Sequence, residues 1–112
     1  DAVTATIEFV STDKQDMGLP LTYALNQNYP NPFNPSTNIS YTIPEISSVS
    51  INIYDVNGSL VRNLVNKSLE PGFHTVSWDG TNVYGSKVSA GMYFYRIQSG
   101  AFSSTQKMIF LK

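Results

Sequence analysis

The chain has 112 residues, 7 Lys+Arg against 8 Asp+Glu for a formal charge of −1, 41% apolar and 13% charged residues, and no cysteine. That length holds one domain with a real core. The charge balance gives no clustered cations for a nucleic-acid backbone, and the missing thiols exclude a disulfide framework, thiolate chemistry and a Cys-type zinc site. Ser, Thr and Asn supply 33 residues beside 7 Tyr, 6 Phe and 6 Pro, a mix that suits pleated strands joined by turns.

The opening DAVTATIEFV lacks a basic n-region and an apolar h-region, as expected of a piece of a longer precursor. Val3, Ala5, Ile7 and Phe9 alternate with Thr4, Thr6 and Glu8, the period of a half-buried strand. Residues 11–18 (Ser11, Thr12, Asp13, Lys14, Gln15, Asp16, Met17, Gly18) are polar and read as a linker open to proteolysis. Next comes a Pro-rich stretch in which Pro30, Pro32 and Pro35 exclude a helix or a central strand. Asn31 and Asn34 suit its turns, and Tyr29 and Phe33 are expected to pin it to the body.

Short strands then follow at regular spacing. Ile39, Tyr41 and Ile43 alternate before Pro44, and Val49, Ile51 and Ile53 alternate before an Asn-Gly hairpin at residues 55–58. Residues 60–65 run back and turn at Glu70-Pro71-Gly72, and His74, Val76 and Trp78 then share a face. Residues 88–97 read as a strand interrupted by Gly91, where a bulge or a close backbone approach is expected. After Ser99-Gly100 a last strand spans residues 102–111. The pattern predicts an all-β antiparallel sandwich of about seven strands, immunoglobulin-like or fibronectin-III-like, with no helix.

Little chemistry is on offer. The single histidine, His74, lies in an alternating strand and is expected to be a packed, hydrogen-bonded residue, and no nucleophile elbow, zincin motif or P-loop occurs. The loops holding Asp79, Thr81 and Asn82, and Asp55 and Asn57, offer calcium one carboxylate each, so tight turns explain them better and no metal is expected. Trp78, Tyr84, Tyr93, Phe94 and Tyr95 are candidates for a sugar platform, but alternation sets Phe94 opposite Tyr93 and Tyr95. The sequence therefore predicts no enzyme and no cofactor.

The strongest signal is QNYPNPFNPST, residues 27–37. It resembles the opening of type A C-terminal sorting domains carried by cargo of the bacterial type IX secretion system. The resemblance continues through ISYTIPE (residues 39–45), IYDVNG (53–58), GFHTVSWDG (72–80), GMYFYRI (91–97) and KMIFLK (107–112). The same middle segments also resemble the immunoglobulin-like module of flagellar hook-capping proteins. The resemblance covers residues 19–112 and leaves 1–18 as the possible end of a cargo domain plus linker. It marks Tyr29, Pro30, Asn31, Pro32, Phe33, Asn34, Pro35, Trp78, Asp79, Gly80, Gly91 and Tyr93 as motif residues.

The resemblance implies a non-catalytic transport label. Its cargo passes through the periplasm, the outer-membrane translocon recognises the folded label, and a sortase-like peptidase removes it in attaching the cargo to the cell surface. The cut is expected in residues 11–18. The recognition element is expected at Lys107, Met108, Ile109, Phe110, Leu111 and Lys112, presenting unpaired backbone at an open edge. Deleting these six is then expected to leave the fold mostly intact. Two alternatives remain: an extracellular adhesion or assembly domain that exchanges its Val3 to Phe9 strand with another copy, and a carbohydrate-binding module.

Overall fold

A computed structural model describes residues 19–112; the strand read at Val3 to Phe9 and the linker at residues 11–18 lie outside the described residues. Seven strands and no helix are found among the described residues, and the expected all-β sandwich is borne out. They are β1 (Ala24–Leu25), β2 (Thr37–Ile43), β3 (Ser47–Tyr54), β4 (Leu60–Leu69), β5 (Gly72–Trp78), β6 (Gly91–Ser99) and β7 (Phe102–Phe110). One sheet has the order β1-β2-β5 and the other β4-β3-β6-β7, with every pair antiparallel.

Period-two alternation sends one face of each strand inward. Ile39 and Ile43 from the first sheet meet Ile51, Ile53, Tyr95, Ile97 and Met108 from the second, all fully buried. His74, Val76 and Trp78 share the inner face as read, with His74 stacked on Tyr41 and its Nε2 bonded to Glu70 O at 2.8 Å.

Two local expectations change and one is kept. The return strand β4 runs on to Leu69, and its register against β3 shifts twice, between Ile51 and Asn52 and between Ile53 and Tyr54. Asn63 Nδ2 donates to Val65 O (3.0 Å) and Ile51 O (3.4 Å) beside the first irregularity, so an exposed-looking amide patches a ladder gap. Gly91 begins β6 at φ +147 instead of interrupting it, and nothing approaches the position of its missing Cβ. The hairpin expected at 55–58 forms, with Gly58 taking the positive φ and no non-glycine residue doing so. Asp55 N bonds Ser59 O and Gly58 N bonds Asp55 O, each at 3.0 Å, so the turn closes on three residues with Gly58 alone left-handed.

Candidate recognition site at the final strand

Residues 23–33 run along the outer edge of β7 and bridge the two sheets. At the start of this strap Tyr23 stacks on Phe102 (centroids 5.1 Å apart), while Ala24 and Leu25 pair with Thr42 and Tyr41 of the other sheet. Further along, Tyr95 Oη donates to Asn26 O (2.6 Å), Gln106 Nε2 to Leu25 O (3.3 Å) and Gln27 Nε2 to Lys107 O (2.8 Å). The Pro-rich motif follows, with cis bonds before Pro30, Pro32 and Pro35. Proline cannot donate from its backbone, so side chains organise the loop. Buried Asn28 donates from Nδ2 to Pro30 O (3.1 Å) and Thr37 Oγ1 (3.0 Å), and Thr37 Oγ1 donates to Pro30 O (2.8 Å).

The loop then closes onto the end of β7. Phe33 N donates to Ile109 O (3.0 Å), Leu111 N to Phe33 O (2.9 Å) and Ile109 N to Asn31 Oδ1 (3.0 Å). The side chains reinforce this backbone clasp. Phe33 stacks on Phe110 at 4.9 Å and 10°, Trp78 lies 5.7 Å from Phe33, and Tyr93 meets Trp78 edge-on at 5.3 Å. Opposite them is Gly80 at φ +76, where a Cβ would stand 2.9 Å from Phe110 Cζ. Gly80 is therefore a residue of close approach. Trp78 Nε1 donates to Thr81 O (2.8 Å), which holds the corner in shape.

Motif residues far apart in sequence thus converge on one ring. Phe33, Trp78 and Gly80 surround Phe110 and Tyr93 packs against Trp78, whereas Gly91 only starts the strand opposite it. The pinning expected of Tyr29 falls to Phe33 alone: the Tyr29 side chain is 79% exposed, and its backbone pairs with Asn38. Pro30, Asn31, Pro32, Asn34 and Pro35 are exposed. Asn28 and Thr37 were missed as structural residues; their place between prolines that cannot donate is the signal that would have found them.

The six terminal candidates divide. Met108 and Phe110 are core residues, Ile109 is half-buried, and Lys107, Leu111 and Lys112 are exposed. The open edge expected here is not open, since the outward backbone groups of Ile109 and Leu111 are taken by Asn31 and Phe33. A deletion of residues 107–112 also removes two core side chains, so the expectation of an intact fold fails.

The other chemical candidates are structural. Asp55 Oδ1 accepts the amides of Asn57 and Ser59, and Asn82 Oδ1 those of Tyr84 and Ser86, so both loops are capped turns. The Thr81 hydroxyl donates to Asp79 and accepts from Arg62 at 2.7 Å. That hydroxyl, with help from the Thr81 amide and Arg62, holds the Asp79 carboxyl below its usual range against the opposing effect of desolvation. Trp78, Tyr93 and Tyr95 are buried, which leaves Tyr84 and half-buried Phe94 as the outward members of the sugar-platform set.

The fold is thus an antiparallel sandwich whose last described strand is clasped by an upstream Pro-rich strap. The chain belongs to the secretion system C-terminal sorting domain family, whose model matches residues 27–111. The resemblance to type IX sorting domains and to hook-capping modules is borne out in the comparisons. Among solved structures the chain is similar to latent dimeric PorU from Porphyromonas gingivalis, with TM-score 0.64 and 24% identity over 80% of this chain and 9% of that one. It is also similar to PorZ, described as a surface component of the type-IX secretion system of that organism (0.55, 18%, 80% of this chain and 11% of that one). A third similarity is to FlgD from P. aeruginosa (0.56, 21%, 80% and 72%). At these identities the structural likenesses show a shared fold. No curated protein sequence matches.

Proposed function

We propose that the chain is a folded export label, read by the outer-membrane translocon of the type IX system and carrying an upstream cargo through the periplasm to the cell surface or medium. The observation that carries this reading is family membership over residues 27–111. Residues 19–112 form the label, and residues 1–18 join it to the cargo. A sortase-like peptidase cuts within residues 11–18 as the cargo is attached to the surface. No reaction is assigned to the label itself.

At the tail, Lys107, Leu111 and Lys112 supply the side chains that are read, with Ile109 beside them. Met108 and Phe110 hold them in place from the core. Because the outer backbone groups of Ile109 and Leu111 are occupied, recognition goes through side chains and not through an added strand.

The test is a reporter fused ahead of the chain in a host that has the pathway. The triple variant Lys107→Glu, Leu111→Ser, Lys112→Glu changes exposed positions only and is expected to unfold as the parent does. It should cut surface export at least about tenfold, the effect of losing about 1.4 kcal/mol of recognition. Unchanged export of that variant overturns the tail assignment, and unchanged export without residues 19–112 overturns the sorting reading.

A further inference from the structure

The clasp lies at one pole of the sandwich, and the same pole carries two loops of one design. Asp55 Oδ1 accepts amides at 2.9 and 2.9 Å, and Asn82 Oδ1 at 2.9 and 3.1 Å; Gly58 and Gly85 share φ +82. Asp55 N bonds Ser59 O at 3.0 Å, and Asn82 N bonds Ser86 O at 2.9 Å. Each cap satisfies the turn from within, so the tip side chains are free to stand in solvent. They are apolar. Val56 is 63% exposed, Val83 58% and Tyr84 88%, with Leu60 at 55% between the loops. A groove of about 400 Å³ separates the loops, its lining including Asp55, Leu60, Val61, Val83, Tyr84 and Lys87. Turn chemistry asks for none of these apolar tips.

Charge is segregated along the same axis. Among the described residues, the half of the sandwich containing this pole holds Arg62, Lys87, Lys107 and Lys112 against Asp55 and Asp79, a local +2. The far half holds Lys67 and Arg96 against Glu45 and Glu70, with no net charge. Both pole carboxylates are also engaged, Asp55 by two amides and Asp79 by Thr81.

From this arrangement we infer that the pole docks on the anionic surface of a lipid bilayer. Val56, Val83 and Tyr84 enter the headgroup layer, and the cations, Lys87 nearest the tips, meet lipid phosphates. Tyrosine suits that boundary because its ring is apolar and its hydroxyl polar. Lysines at an apolar rim favour lipid over protein, since protein interface cores are depleted in lysine while anionic membranes attract it. Dispersed tips on separate loops match insertion between headgroups better than they match a flat protein face. The inference is independent of the sorting reading, because it is tested on the purified chain.

The experiment is co-sedimentation of the 112-residue chain with phosphatidylcholine vesicles containing about one-third phosphatidylglycerol, against pure phosphatidylcholine. Binding is expected to be at least about tenfold stronger on the anionic vesicles and to fall away at high salt. Val83→Ser with Tyr84→Ser, or Lys87→Glu alone, should each weaken it by about tenfold while leaving the unfolding midpoint unchanged. Equal binding to both vesicle types, or binding indifferent to these exposed substitutions, overturns the inference. So does failure on vesicles combined with a photo-cross-linker at position 84 that captures a protein, which would assign the pole to a protein partner.

Discussion

The two halves of β7 belong to one continuous strand, yet the strap holds them in different ways. Along residues 102–106 it touches β7 through side chains, by the Tyr23–Phe102 stack and the Gln106 amide, and no described residue bonds the outward backbone of Ser103 or Thr105. Along residues 107–111 the strap becomes a backbone partner, and the inward side chains Met108 and Phe110 enter the core. A strand at the edge of a sheet is therefore not one environment. Here the family motif spends its prolines and asparagines on securing the last four or five residues, and the rest of the edge is held lightly.

The sharpest way to break that contrast is Phe110→Ala beside Thr105→Ala. Emptying the ring's seat among Phe33, Trp78 and Gly80 is expected to destabilise the fold by about 3–5 kcal/mol, while the exposed Thr105 change should stay within about 0.5 kcal/mol. Urea unfolding measures both, and similar losses would erase the distinction.

Gly80→Ala tests the seat from its other wall. It is expected to cost about 1–3 kcal/mol, because a methyl there meets the Phe110 ring in a backbone conformation that disfavours it. Gly58→Ala has a similar φ and no neighbour, so the difference between the two isolates the ring contact. Equal losses would mean that backbone strain explains both.

The smallest effect concerns the junction of the two halves, where Tyr95 faces Gln106 and holds the strap through Asn26 O. Burial pushes the Tyr95 hydroxyl up to about 12 from 10.0, despite an opposing backbone hydrogen bond. A raised folded-state value means that its stabilisation is complete below pH 10 and is lost as the pH climbs toward 12. Tyr95→Phe should lower stability at neutral pH by about 1 kcal/mol and shrink the alkaline slope of unfolding. Burial also raises Tyr41 and Tyr93, so part of the slope remains. An unaltered slope in Tyr95→Phe would remove this group from the account.

Much of this was legible in the sequence. Alternation at Ile39, Tyr41 and Ile43, at Val49, Ile51 and Ile53, and at Tyr93, Tyr95 and Ile97 fixes which face is core, because a strand's period is local. The clasp was not legible as a clasp. Asn31 bonds Ile109 across 78 positions, and nothing near Ile109 in the sequence announces that its edge is covered. Gly80 reads as a turn glycine, and only the fold reveals the ring against it. The twin loops were hidden too, since DVNGS and NVYGS share only Val, Gly and Ser while their backbones close in the same pattern.

The position of Phe110 in the order of synthesis has one more consequence. Ribosomes deliver Phe33 and Trp78 long before the ring that unites them, and N-terminal parts of a chain are free to fold first. The aromatic pocket therefore waits, wet and incomplete, until residue 110 has emerged. A polypeptide broken off earlier displays a strap with nothing to grip. In this way the strap's grip depends on a residue made 77 positions after the ring it holds.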